Sequence, residues 1–157
     1  MRTFLPVLLL LTTTTALAEP CTIDHCHDGD TCTLICGMGT DTARRVKVRL
    51  YCIDAPEIAQ TPWGKLSRDN LHRMADAGDV VDLEAMTRDR YGRTVGVIYR
   101  QGVNLNLEQV KSGSAAVYPR YCSDQQFYSA QDSAKGAHKG IWSEQGAQQT
   151  PWEWRRQ

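Results

Sequence analysis

The 157-residue sequence lacks an excess of charge of either sign, because 18 lysines and arginines are balanced by 18 aspartates and glutamates. Proteins that hold nucleic acid through bulk charge carry a broad basic surface. The charge balance therefore argues against that mode of binding. A polyanion site in this chain has to be built from a few placed arginines together with a metal ion.

Internal repeats, low-complexity linkers and a second long apolar run are also absent from the sequence. The length suits one domain that is large enough to bury a hydrophobic core. After the first residues, no segment is apolar for long enough to span a bilayer. We therefore expect a single domain over residues 19–157.

The first residues have the pattern of a secretory signal peptide. Arg2 gives a positive start, an apolar run follows from Phe4 to Leu11, and Ala16-Leu17-Ala18 is a small-residue cleavage site. The apolar run is too short for a membrane anchor. We expect residues 1–18 to be removed on export, which predicts a periplasmic or secreted protein.

The cysteines include no Cys-x-x-Cys pair, the spacing typical of a structural zinc site. An even number of cysteines in an exported chain favours three disulfides. A zinc site remains the alternative, because His25 and His27 lie among the first four cysteines. If no zinc site is formed, we expect both histidines to lie on the surface. The six cysteines are Cys21, Cys26, Cys32, Cys36, Cys52 and Cys122.

Strand geometry limits how the cysteines can pair. If residues 31–36 form a strand, Cys32 and Cys36 lie on one face about 13 Å apart, too far to bond to each other. Two nested pairs across a hairpin are compatible with the geometry. These pairs are Cys26–Cys32 and Cys21–Cys36, and they leave Cys52 for Cys122.

Alternating apolar residues predict a set of short strands. The segments are Thr31–Cys36, Arg45–Cys52, Val81–Ala85 and Val95–Tyr99. A fifth strand is expected if the segment before Asp28 pairs with the one that follows it. In the second of these segments, Val46, Val48, Leu50 and Cys52 share one face.

Three helices are predicted between and after the strands. Thr61 is expected to cap the first, and its apolar stripe consists of Trp63, Leu66, Leu71 and Met74. The second covers Leu105–Lys111 and ends at Gly113. Ser123 and Gln126 form a capping box for the third, which is expected to end at Lys139-Gly140. The pattern predicts an α+β protein, a five-stranded OB-fold-like β-barrel with about three α-helices.

Charged residues cluster in three short segments: His27–Thr31, Arg49–Glu57 and Asp89–Arg93. Each has an ordinary structural explanation: a hairpin turn, a solvated loop with an ion pair, and a charged hairpin tip. Together they supply three carboxylates and two arginines at strand ends and turns. The carboxylates are Asp30, Asp54 and Glu57, and the arginines are Arg49 and Arg93.

These side chains match the needs of phosphodiester chemistry. Carboxylate oxygens are the ligands that calcium prefers. Guanidinium groups bind phosphate oxygens with two parallel hydrogen bonds, which lysine cannot do. A metal, a base and paired arginines are the groups required for attack on a phosphodiester.

The sequence resembles the staphylococcal nuclease (thermonuclease) family from about Ile23 to Glu144. The similarity is carried by Asp28-Gly29-Asp30-Thr31, by Val48-Arg49-Leu50 leading to Ile53-Asp54-Ala55-Pro56-Glu57, by Asp89-Arg90-Tyr91-Gly92-Arg93, and by Gly140-Ile141-Trp142-Ser143. The order and spacing of the four segments are highly specific.

The resemblance implies a calcium site formed by the side chains of Asp30 and Asp54 and the backbone carbonyl of Ala55. The best-known family member has threonine at the position of Ala55, so this chain loses a hydroxyl there and keeps the carbonyl. Glu57 matches the general base.

The resemblance also assigns residues that contact the substrate. Arg49 and Arg93 match the two arginines on the phosphate. Tyr91 and Tyr118 lie near the places where family tyrosines flank a nucleotide. DNA and RNA are then the expected substrates of a monomeric enzyme.

Two other functions are compatible with parts of the sequence. The same barrel could hold nucleic acid or a protein without cutting it, but all three carboxylates and both arginines are present here. A glycoside hydrolase with two carboxylates would leave the arginines without a role. The tail from Pro151 to Arg156 combines aromatic and basic residues, as single-strand binders do, although a docked or frayed terminus is favoured.

Overall fold

The structure is a computed structural model that describes residues 18–157. The predicted signal peptide lies outside the described residues, except for its last position. Among the described residues, no helix combines the length and the apolar character needed to cross a bilayer.

Five strands form the barrel: β1 (Glu19–Cys26), β2 (Thr31–Cys36), β3 (Arg44–Leu50), β5 (Val80–Arg88) and β6 (Thr94–Arg100). Their order is β3-β2-β1-β5-β6, and a parallel pairing of β3 with β6 closes the sheet. The predicted OB-fold-like barrel is confirmed. A short strand β7 (Val103–Asn104) pairs with β6 in antiparallel orientation. Outside the barrel, β4 (Ile53–Asp54) pairs with β8 (Ala116–Val117).

The helices lie between and after these strands. They are α1 (Trp63–Met74), α2 (Leu105–Lys111), α3 (Gln125–Gly136) and a single turn, α4 (Pro151–Trp154). Two 3₁₀ turns, Gly140–Trp142 and Ala147–Gln149, connect α3 to α4. The second predicted helix is confirmed at both ends, with Asn104 accepting a hydrogen bond from the Leu107 amide as its cap.

Hydrophobic alternation explains the barrel interior. In β3, Val48 and Leu50 are buried, whereas Arg44, Arg45 and Lys47 are exposed. The same period-2 pattern buries Val81 and Leu83 of β5. Side chains that alternate between the two faces of a strand direct the apolar set into the core.

The prediction for α1 was wrong in two respects. Thr61 does not cap the helix, because Pro62 occupies the N-cap position and no side-chain cap is formed. Leu66, expected in the apolar stripe, is 51% exposed. Leu71 is buried as predicted, but the other buried residues are Gly64 and Ser67, whose small size lets this helix approach the neighbouring turns closely.

The ends of α3 also differ from the prediction. Asp124, rather than Ser123, caps the helix, and its carboxylate accepts a hydrogen bond from the Gln126 amide. The helix ends at Gly136, and Gly140 opens a separate 3₁₀ turn. Gly140 packs closely on Gly113: a Cβ at Gly140 would lie 2.1 Å from the Gly113 carbonyl oxygen, which accepts a hydrogen bond from the Ile141 amide.

Three disulfides join the six cysteines: Cys21–Cys36, Cys26–Cys32 and Cys52–Cys122. The predicted connectivity is confirmed. The first two bonds link residues that face each other in the register of β1 and β2. The zinc alternative was wrong because every cysteine sulfur is engaged in a disulfide. Three disulfides are consistent with folding outside the reducing cytoplasm.

Candidate active site

Two turns meet at one end of the barrel and bring the first carboxylates together. Asp30 follows the turn between β1 and β2, and Asp54 ends β4. The Asp30 carboxylate accepts a hydrogen bond of 2.6 Å from the Ala55 amide. The Leu50 amide donates to the Asp30 carbonyl at 2.7 Å, which ties the end of β3 to the same turn.

Arg49 joins the two buried aspartates. Its guanidinium lies 2.9 Å from Asp30 Oδ1 through Nη1 and contacts Asp54 Oδ1 through Nη2. Asp30 is 5% exposed and Asp54 is fully buried. Buried carboxylates require a charged or hydrogen-bonding partner, and a single guanidinium serves both.

Glu57 joins this group through Arg155, a residue that the sequence analysis did not assign to the site. Arg155 Nη1 donates to Glu57 Oε1 at 2.7 Å. Arg155 Nη2 donates to both oxygens of Asp54, at 3.0 and 2.9 Å. Four of the five residues expected to converge, together with Arg155, therefore form one continuous network. We name Asp30, Asp54 and Glu57 the carboxylate cluster.

Negative charge exceeds positive charge within the network. Burial, together with the charge of Asp30, raises the pKa of Asp54 to about 6 against the opposing effects of Arg49 and Arg155. Burial and Asp30 likewise raise the pKa of Asp28 to about 7. The carboxylate cluster carries three negative charges when its members are ionised, against two positive charges on Arg49 and Arg155, so the network can accommodate a further positive charge.

Arg93, the fifth residue, is not in contact with the carboxylate cluster. It immediately precedes β6, whose parallel register places Val95 opposite Arg49. Its guanidinium Nε donates to Asp89 Oδ2 at 2.7 Å within the same hairpin. Burial raises the pKa of Asp89, but the hydrogen bonds from Arg93 outweigh it and the net pKa is lowered.

Tyr91 lies at the exposed tip of the same hairpin, with the guanidinium groups of Arg90 and Arg93 over its ring. Tyr118 follows β8, and its amide donates to the Cys52 carbonyl at 2.8 Å. Its ring is stacked on Trp152 of α4, with 5.2 Å between centroids.

The sequence profile described as "Staphylococcal nuclease homologue" matches residues 47–144 of the chain. An "Uncharacterized endonuclease" of Haemophilus influenzae is 36% identical over 96% of this chain and 83% of its own length. The chain belongs to the staphylococcal nuclease family.

Two further relatives are similar over most of the sequence. An "Uncharacterized endonuclease" of Escherichia coli O157:H7 is 33% identical over 99% of this chain and 98% of its own length. A "Micrococcal nuclease" of Shigella flexneri is 36% identical over 82% of this chain and 76% of its own length.

A buried glutamine holds the Asp28-Gly29-Asp30 turn of this staphylococcal nuclease homologue in place. Gln109 of α2 is fully buried, and its Nε2 donates to the Gly29 carbonyl at 2.7 Å and to the Ser67 carbonyl at 3.1 Å. Its Oε1 accepts from Asn70 at 2.6 Å. The amide thus connects α1 and α2 to the turn that carries Asp30.

Gly64 of α1 sets the position of the Glu57 turn in this family member. A Cβ at Gly64 would lie 2.0 Å from the Glu57 carbonyl oxygen and 2.6 Å from the Ile58 Cα. Because these are backbone atoms, the turn would have to move. We expect Gly64→Ala to lower the free energy of unfolding by about 1–3 kcal/mol, as overpacking does, in urea denaturation.

Gly136→Ala is the matched control for that substitution. Gly136 is also helical, but an added Cβ there meets no atom within 4 Å. Alanine is a better helix former than glycine by about 1 kcal/mol, so this variant should be at least as stable as the parent. Equal effects of the two substitutions would contradict the close packing of α1 on the Glu57 turn.

The donor atoms of the site fit a hard divalent cation. Two buried carboxylates, Asp30 and Asp54, lie beside Ala55, which is 3% exposed. Within residues 18–157, no hydrogen bond reaches the Ala55 carbonyl oxygen, so an acceptor of a buried residue is left for another ligand. Oxygen-only ligation of this kind suits calcium or magnesium.

Proposed function

We propose that this nuclease, a hydrolase of phosphodiester bonds, is an exported, monomeric, calcium-dependent enzyme that acts on DNA and RNA. The observation that carries the proposal is the network in which Arg49 joins the buried carboxylates of Asp30 and Asp54, with Glu57 linked to it through Arg155. This network would provide three things in one place: ligands for a cation, a general base, and a group that can bind phosphate.

Asp30 and Asp54 would hold the calcium ion through their side chains, and Ala55 through its carbonyl oxygen. The chemistry that a bound calcium supplies is neutralisation of phosphate charge and easier deprotonation of water. The two aspartates are already fixed by the Ala55 amide and by Arg49. The two carboxylates are therefore already positioned, although Arg155 has to leave Asp54 before a cation can bind there.

Glu57 would take the proton from the attacking water. Its side chain is 36% exposed, in contrast to the fully buried Asp54, so water can reach its carboxylate. A carboxylate in hydrogen-bonding range of its nucleophile can act as a general base. Gly64 and the Gln60 side chain, which accepts from the Glu57 amide at 2.9 Å, hold its backbone.

Arg49 and Arg93 would bind the phosphate and stabilise charge that develops on its oxygens in the transition state. Arg93 has to turn from Asp89 to do so, whereas Arg49 is already beside the carboxylate cluster. Tyr91 and Tyr118 would flank the nucleotide on either side of that phosphate.

One pair of digests tests the proposal. Plasmid DNA and RNA are incubated with the purified protein in calcium, or in the same buffer with excess chelator. We expect both substrates to be cut with calcium and neither with chelator, because without the cation phosphate charge is not neutralised and water is not made easier to deprotonate. Cutting that persists in chelator would contradict calcium dependence, and DNA that is retarded in a gel but uncut would indicate a binding module.

A further inference from the structure

The C-terminal segment, residues 147–157, is docked on the site rather than free. Gln60 Nε2 donates to the Ala147 carbonyl at 3.3 Å, close to the Glu57 turn. Pro151 is buried, and Gln148 donates to the carbonyls of Ile141 and Glu144. The first half of the segment is therefore held against the domain by hydrogen bonds and by burial of Pro151.

Arg155 of this segment is bound to the atoms that the proposed function assigns to the cation and the base. Its Nη2 reaches both oxygens of Asp54, and its Nη1 reaches Glu57. Among the described residues, Arg155 is the partner of Asp54 Oδ2, since Arg49 contacts Oδ1. Burial alone would lower the pKa of Arg155, but the charges of Asp54 and Glu57 raise it, so the guanidinium stays cationic.

Trp152 covers a second part of the proposed site. Its ring is nearly parallel to that of Tyr118, with an interplanar angle of 13°. A nucleobase stacks on an aromatic ring in the same way. One face of the Tyr118 ring is therefore already in contact with an indole of the same chain.

A guanidinium and a calcium ion on the same carboxylate exclude each other for two reasons. Both use the carboxylate lone pairs, and their positive charges repel at short distance. Arg155 is only 37% exposed at the side chain, so water does not fully screen that repulsion.

We propose that the C-terminal segment is an autoinhibitory latch, in which Arg155 competes with the cation for Asp54 and also binds the proposed base Glu57, while Trp152 covers one face of Tyr118. The proposal rests on the proposed function of the carboxylate cluster. Binding of calcium to Asp54 would displace Arg155 and so open the latch. Trp152 would then move off Tyr118, whose ring would become accessible to a nucleotide. The free enzyme is thereby held in a state with low affinity for calcium.

Calorimetric titration of calcium into the full chain tests the latch without measuring activity. Arg155→Gln keeps much of the length and hydrogen-bonding capacity of the side chain but removes its charge. We expect this variant to bind calcium about tenfold more tightly, a change of about 1.4 kcal/mol. The matched control is Arg156→Gln, which removes the same charge from an exposed neighbour and should leave the affinity unchanged.

Trp152→Ala provides a second, independent variant. It leaves every charge in place but removes the stack on Tyr118 that holds α4. We expect tighter calcium binding than in the parent, by a smaller factor than for Arg155→Gln. A thermal melt of each variant establishes that it is folded before titration.

The outcomes separate the latch from the proposed function. Tighter binding by Arg155→Gln and Trp152→Ala, with Arg156→Gln unchanged, supports the latch. Equal or weaker binding by Arg155→Gln overturns the latch and leaves calcium binding intact. If neither the parent nor any variant binds calcium at millimolar concentration, both the latch and the calcium-dependent function are overturned.

Discussion

We expect Arg49→Lys to slow phosphodiester cleavage by about 10²–10³-fold, the usual cost of losing one preorganised donor in a transition state. Arg49 contacts Asp30 and Asp54 at the same time through its two terminal nitrogens. Lysine keeps the charge but presents a single ammonium, which cannot bridge two carboxylates or bind a phosphate through two hydrogen bonds. Initial rates at saturating calcium measure the effect.

Arg45→Lys is the matched control for that experiment. Arg45 lies on the same strand β3, but its side chain is exposed and pairs with Asp24 on the surface. Surface ion pairs contribute little to stability, so we expect near-parental rates. Near-normal cleavage by Arg49→Lys would remove Arg49 from the phosphate site.

The second large effect is expected for Glu57→Gln. Loss of a general base lowers the rate by about 10²–10⁴-fold. Glutamine has nearly the same shape and can still accept a hydrogen bond from Arg155, whose Nη1 lies 2.7 Å from Glu57 Oε1. The fold should therefore be preserved, which circular dichroism and a thermal melt can establish.

Calcium affinity separates the role of Glu57 from that of the metal ligands. Because Glu57 is assigned as the base and not as a ligand, Glu57→Gln should bind calcium at least as tightly as the parent, since loss of its charge also weakens the hold on Arg155. Glu144→Gln, at an exposed position, serves as the control for loss of a carboxylate. A Glu57→Gln variant that cuts DNA at the parental rate would show that another group accepts the proton.

The barrel could be predicted from the sequence because it depends on local signals. Period-2 alternation in Arg44–Leu50 and Val80–Arg88 determines which side chains face the core. The disulfide pairing followed from strand geometry, since Cys26–Cys32 and Cys21–Cys36 join facing residues of one hairpin. Both features are determined by residues that are close in the sequence and by the pleated geometry of the strands.

Helix details were harder to predict. Leu66 looks like part of an apolar stripe, but α1 packs through Gly64 and Ser67, whose small size matters only because two turns approach them. Likewise Ser123 and Asp124 are both acceptable caps by residue type, and in the structure Asp124 accepts the hydrogen bond from the Gln126 amide.

The candidate site was accessible from the sequence only in part. The motifs indicated Asp30, Asp54, Glu57 and Arg49, and the structure places these four in one network. Arg155 lies outside these motifs, and it is separated from Asp54, which it contacts, by 101 positions along the chain. Gln109, 80 positions from the Gly29 carbonyl that it binds, likewise has no local signal. Tertiary packing alone brings such residues to a site.

The position of calcium relative to Asp30 and Asp54 tests the central claim most directly. Crystals grown with saturating calcium give an anomalous difference map, which locates the ion independently of any assumed ligand. We predict one strong peak at about 2.3–2.6 Å from carboxylate oxygens of both aspartates, with Arg155 moved away from Asp54. A calcium ion bound elsewhere, or no ordered ion with Arg155 still on Asp54, would contradict the assignment.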